Sequence, residues 1–269
     1  MAYGRGLLQN PPEAVAELGP GDSIGTGLAA LLAGAKSYHA LDLVRYSNTA
    51  RDLEIFEDLL ELYRERSAIP DEKEFPHVGP RLESYQFPAD IITDERLEVC
   101  LQGDRLNFLR DSIRRAGTAD PGCIAYIVPW YEEENLDDSS FDLILSQAVS
   151  EHVDDLPFAY QKVYRWLKPG GIFSQEIDFT CHGTAREWNG HWRYSPLTWK
   201  LIRGKRSYLI NRQPLSVHRE LLTRTGFRIA SEMPSRDPKG IRRRELASEF
   251  REITDEDLST YSCFIQAVK

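Results

Sequence analysis

The stretch ELGPGDSIGTGLAALLAGAKSYHALDLV, residues 17–44, constrains the fold more than any other part of the chain. A short apolar run, AVAEL (14–18), leads into Gly19-Pro20-Gly21. Glycine in that position lets the backbone turn sharply after a strand and lets a bound group approach the main chain closely. GTGLAALLAGA (25–35) then sets Leu28, Leu31, Leu32 and Ala35 at helical spacing, and YHALDLV (38–44) has strand character with Asp42 near its end. Strand, glycine turn, helix and strand in that order form the opening half of a doubly wound parallel sheet.

The alternation continues. ARDLEIFEDLLELYRER (50–66) carries Leu53, Phe56, Leu59, Leu60 and Tyr63 on one helical face. A Pro-rich charged segment (69–88) and more helix signal through about residue 116 follow. This connection far exceeds the usual ~2–6 residues, so residues 45–120 read as a helical lid inserted into the sheet topology. Further strands are expected at CIAYIVP (123–129), FDLILSQAV (141–149) and GGIFSQEIDF (170–179), with a helix between the last two stopped by Pro169-Gly170-Gly171. Residues 180–213 form a second, aromatic insertion. Helix (215–225), strand (226–232), a charged segment (235–258) and a last strand (261–268) complete the chain. The expectation is one α/β domain over residues 1–269, Rossmann-like and doubly wound. Its mostly parallel seven-stranded sheet carries the helical insertions.

Charge narrows the partners. A formal net charge of −9 leaves no global positive field to condense onto a phosphate backbone, so nucleic acid is not expected as a partner. Cys100, Cys123, Cys181 and Cys263 are scattered without metal-knuckle or redox-pair spacing and read as reduced thiols. The N-terminus lacks a signal-peptide pattern, and no run of about 18 apolar residues occurs, so no membrane insertion and a cytoplasmic protein are expected.

Taken alone, the loop is ambiguous. A dinucleotide fingerprint G-x-G-x-x-G is broken at Ile24, while a looser G-x-G-x-x-x-G ending at Gly25 leaves an NADP-dependent reductase open. Glu17 two residues before the first glycine, Asp42 after the second strand, and SSFDLILSQAVSEHV…WLKPGGIFSQEIDF together resemble the class I S-adenosylmethionine-dependent methyltransferases, of the methyltransferase type 11-like kind. That resemblance spans roughly residues 14–44 and 122–179. It implies S-adenosyl-L-methionine as cofactor. By it, Glu17, Gly19, Pro20 and Gly21 line the methionine and ribose, and Asp42, with Leu43 beside it, holds the ribose diol. Ser146 and Gln147 face the sulfonium end. The family's third glycine is Ser23 here. The usual acid after the third strand is absent, and Tyr126 falls near that place.

Methyl transfer needs alignment, plus a base when the acceptor must lose a proton. In this fold ligands lie beyond the C-terminal ends of the strands. EIDFTCHGTAREWNGHWRYSPLTWK (176–200) begins there and brings Asp178, His182 and His191 into the midst of Trp188, Trp192, Tyr194 and Trp199. A histidine titrating near neutrality suits proton removal from a hydroxyl, and the aromatic rings suit an acceptor wall or the insertion's own core. Glu151-His152 resembles part of a metal-binding E-x-x-E-H pattern, but Ala148 occupies its first position, so packing is the preferred role of His152 and no metal is expected. Arg203, Lys205, Arg206 and Arg212 form a basic cluster able to meet an anionic group. The resulting expectation is methyl transfer to a small-molecule acceptor, at an oxygen of a sugar, glycoconjugate or secondary metabolite. The alternative is a cofactor-binding regulatory or partner protein without catalysis.

Overall fold

A computed structural model describes residues 2–75, 79–132 and 136–269. Residues 76–78, within the expected helical lid, lie outside the described residues. The elements run β1 (Ala14–Leu18), α1 (Gly25–Leu32), β2 (Ser37–Leu41), α2 (Thr49–Glu65), α3 (Asp94–Cys100) and α4 (Gly103–Arg115). Then come β3 (Ile124–Ile127), β4 (Phe141–Gln147), α5 (Leu156–Trp166), β5 (Leu167–Asp178), α6 (Pro196–Arg203), α7 (Leu215–Thr225), β6 (Arg228–Arg236), α8 (Asp255–Ser259) and β7 (Thr260–Val268). One seven-stranded sheet runs in the order β3-β2-β1-β4-β5-β7-β6. Strand β1 is parallel to both β2 and β4, β2 is parallel to β3, and β6 is antiparallel to β7. The order reverses at β1 and β4, which makes their C-terminal ends the switch point where this architecture binds ligands.

The chain divides into two compact units, residues 1–146 with 165–173, and residues 147–164 with 174–269. In the first, Leu28, Leu31 and Leu32 of α1 are fully buried in one cluster with Val15, Tyr38 and Ile124. Burying a leucine side chain contributes roughly 1.5–3 kcal/mol. Helices α2 and α4 join the same core through Phe56, Leu60, Leu106, Leu109 and Ile113. Asn48 starts α2 by accepting the Arg51 amide at 2.9 Å, and Arg66 ends it in the left-handed conformation. Helices α2 and α4 therefore bury their apolar faces against the strands. Residues 67–93 contain no helix among those described.

In the second unit, Trp192 packs with Ile241, Leu246 and Phe250, and Trp199 with Leu209 and Ile210. The aromatic rings of the 180–213 segment thus build two small cores. Boundaries differ modestly from the sequence reading. Strand β2 stops at Leu41, leaving Asp42 just outside it, and β5 starts at Leu167 rather than Gly170. Helix α5 has already ended at Trp166, before Pro169, because proline clashes with the preceding helical turn.

Candidate active site

The glycine loop sits at the C-terminal end of β1. Gly19 and Gly21 both adopt positive φ, 72° and 70°, where a side chain would be strained. A Cβ on Gly21 would meet nothing within 4 Å, so the backbone there borders open space. The Gly19 amide donates to the Leu41 carbonyl at 2.8 Å, tying the loop to the end of β2. Asp42 then closes the loop from the other side: its Oδ2 accepts the Gly21 amide at 3.2 Å and its Oδ1 the Leu43 amide at 2.7 Å. Burial raises the Asp42 carboxyl above its ordinary value, and these amides offset part of that.

Glu17 is buried and accepts a 2.7 Å hydrogen bond from the Tyr38 hydroxyl. Burial raises its carboxyl also, against the lowering effect of Tyr38 and Thr26. Tyr38 reaches it only because residue 27 is glycine. A Cβ at Gly27 would lie 2.2 Å from the Tyr38 ring. Ser23, at the place of the third glycine, has no positive φ, so serine is tolerated there, and its Oγ lies 3.4 Å from the Gly25 amide. Ser146 at the end of β4 is buried with its Oγ unpartnered, and Gln147 is exposed. Pro20 and Leu43 are part-exposed. Tyr126 lies in the core cluster, with the Arg45 guanidinium 5.0 Å over its ring. After β3 the chain presents apolar Val128 and a turn at Trp130–Glu132, whose Trp130 amide donates to the Asp42 carbonyl at 2.9 Å. Two buried acids, an open backbone nest and an orphaned hydroxyl fit a ribose-bearing, positively charged ligand.

In the second unit, Asp178 and His182 are in contact, Oδ2 to Nε2, at 3.2 Å. The Thr180 amide also donates to Asp178 Oδ1 at 2.7 Å. Burial alone would raise Asp178, but the bonds from His182 and Thr180 prevail and hold its carboxyl below the ordinary value. The same contact with Asp178 raises His182 above its ordinary value, against the opposing effect of burial. His182 has a φ of 46°, a conformation uncommon for a side-chain-bearing residue and one found at functional sites. Its side chain stays 27% exposed, so it is reachable. His191 is nearly fully buried, and burial, helped by Arg212, lowers it to about 3.

Glu151 is the residue the sequence reading undervalued. It is 3% exposed, its Oε1 accepts the Asp178 amide at 3.3 Å, and its Oε2 has no partner. Burial raises its carboxyl to about 8, with Asp178 adding to the effect. Asn211 clamps the turn that carries it, donating to the Ser150 and Val153 carbonyls at 2.8 Å each. Ligand atoms of Glu151, His152 and His182 lie within 4.8 Å of one another, a set able to hold a cation despite Ala148. No local pattern marks Asn211, because its partners lie 58 and 61 residues away in the chain. Arg203 and Arg212 of the basic cluster are engaged elsewhere, with Asp154 and Glu249 at 2.6 Å each.

Residues 98–174 match a family model described as a methyltransferase domain. A search of curated proteins found no match. Among solved structures, an S-adenosylmethionine-dependent methyltransferase from Mesorhizobium loti is 16% identical with a TM-score of 0.48, over 98% of this chain and 95% of its own. One from Methanosarcina mazei is 13% identical with a TM-score of 0.49, over 100% and 97%. Phosphoethanolamine N-methyltransferase 2 of Haemonchus contortus, solved with S-adenosyl-L-methionine, is 16% identical with a TM-score of 0.46, over 97% and 50%. The fold assignment stands on the strand order itself.

Proposed function

We propose that this chain, a member of the S-adenosylmethionine-dependent methyltransferase family, methylates a hydroxyl oxygen of a small molecule, with the Asp178–His182 pair taking the proton. The observation that carries this reading is the 3.2 Å contact just beyond the end of β5, with His182 raised and still reachable. Glu17, Gly19, Gly21 and Asp42 would hold the cofactor, which supplies a methyl group on a sulfonium when bound. Asp42 would accept from the ribose hydroxyls, with open space beside the Gly21 backbone to admit them. Ser146 offers its unpartnered hydroxyl at the end of β4.

Asp178 fixes the imidazole by holding Nε2, leaving the other ring nitrogen to accept a proton. When an acceptor hydroxyl is methylated there, its proton would pass to that nitrogen. The histidinium is then stabilised by Asp178. His191, lowered to about 3, is too weak a base near neutral pH and serves as a buried wall. On this reading residues 180–213 form the acceptor side of a single methyltransferase domain.

The test has two arms. Calorimetry with S-adenosylhomocysteine should show binding that Asp42→Ala weakens, and labelled methyl transfer should occur with a panel of hydroxylated acceptors. Tight NADPH binding with no affinity for S-adenosylhomocysteine would overturn the proposal. Methylation confined to amine or thiol acceptors would overturn the oxygen assignment.

A further inference from the structure

Residues 188–219 contain seven basic side chains and no Asp or Glu, within a chain of net charge −9. Four of the seven are neutralised internally. Arg193 pairs with Glu187 and Glu245, Arg203 with Asp154, Arg212 with Glu249, and Arg219 with Glu232 and Glu256. The other three, Lys200, Lys205 and Arg206, are exposed and pair with no carboxylate among the described residues.

Lys200 shares α6 with the most exposed large apolar side chains among the described residues, and Lys205 and Arg206 follow that helix directly. Leu197 and Leu201 of α6 are 70% and 76% exposed. At a spacing of four they share one helix face, and Lys200 lies beside them. The helix is held from behind by Trp199, buried against Leu209 and Ile210. The leucines are therefore presented on a fixed support. Tyr208, 47% exposed, extends the same tip after Gly204.

We propose that this tip docks on an anionic lipid surface. Exposed aliphatic side chains on one helix with exposed cations on it and just after it, Arg206 donating back to the Ile202 and Arg203 carbonyls, match what such a surface recognises. Single-stranded nucleic acid would call for a row of exposed aromatic rings to stack on bases, and here two leucines hold that place. The docking is independent of which acceptor is methylated.

Co-sedimentation of the whole protein with vesicles tests it. Wild type should pellet with vesicles of phosphatidylcholine and phosphatidylglycerol, three parts to one, and stay in solution with phosphatidylcholine alone. Added salt should release it. Replacing Lys200, Lys205 and Arg206 together by glutamine should weaken the partition roughly 100-fold, about fivefold for each cation. Leu197→Ser with Leu201→Ser should weaken it roughly tenfold or more. Both variants should keep the wild-type melting temperature and S-adenosylhomocysteine affinity, which separates lost docking from misfolding. Equal partition onto neutral vesicles, or anionic binding that survives loss of both leucines, would overturn the proposal. So would tight binding of a short RNA that depends on the three cations while vesicles do not bind.

Discussion

Replacing Glu151 by glutamine is expected to stabilise the protein at alkaline pH and leave it unchanged in acid. The native carboxyl titrates at about 8 instead of its ordinary 4.5, because it is buried beside Asp178 with one oxygen unpartnered. Between those two values the folded protein holds a proton that the unfolded chain has released. Stability is therefore fully present below the lower value and falls as pH rises through the higher one, at about 1.4 kcal/mol for each pH step of one. Near pH 8 the accumulated loss is on the order of 4 kcal/mol. Glutamine keeps an oxygen to accept the Asp178 amide and never ionises. Urea midpoints of both proteins at about pH 5 and pH 8, where all other titrating groups are shared, give the difference directly. A difference that does not change with pH, or a wild type favoured at pH 8, would refute the burial argument. If a divalent cation such as Zn²⁺ restores wild type at pH 8 but not Glu151→Gln, the Glu151, His152 and His182 cluster holds the ion.

Asp42→Ala should weaken S-adenosylhomocysteine binding roughly 10- to 100-fold by losing charge-assisted bonds to the ribose, read by calorimetry. His182→Asn should lower kcat about 10²- to 10⁴-fold. The wild-type rate should rise with pH through a value raised above histidine's ordinary one by Asp178, since His182 must be neutral to act. Asp178→Asn removes the group that raises it, so the acid limb should move to lower pH while the rate drops. Dialysis against a chelator should leave the rate intact if His182 is the base. Abolished activity restored by Mn²⁺ or Zn²⁺ would make His182 a ligand. Gly27→Ala should destabilise by about 1–3 kcal/mol, because its Cβ would fall 2.2 Å from the Tyr38 ring.

Local pattern revealed the framework because the relevant physics is local. The spacing of Leu28, Leu31 and Leu32 marks a helix whichever way the chain packs, and glycines at 19 and 21 mark a turn that needs positive φ. The departure at Ser23 also has a local answer, since that residue lies outside the left-handed region. Other features could not be read this way. Tyr38 looks like an ordinary strand aromatic until Gly27 is seen to make room for it and its hydroxyl reaches Glu17. The aromatic run after β5 has the composition of an acceptor wall, yet Trp192 and Trp199 are taken up in two small cores.

The sequence by itself determined the alternating α/β architecture, the glycine turn with Glu17 and Asp42 on either side of it, and the segment from which Asp178 and His182 come. Periodicity, turn chemistry and net charge act over a few residues or over the whole chain, so they need no coordinates. Only the tertiary structure decided the ionisation of those groups and the company they keep. It set Glu151 against Asp178 from 27 residues away, clamped that turn with Asn211 and buried the Glu151 carboxyl. It also separated His182 from His191, two histidines alike in sequence, by leaving one reachable beside a carboxylate and sealing the other inside. A pKa is set by desolvation and by the charges that packing brings near, and neither is written in the order of residues.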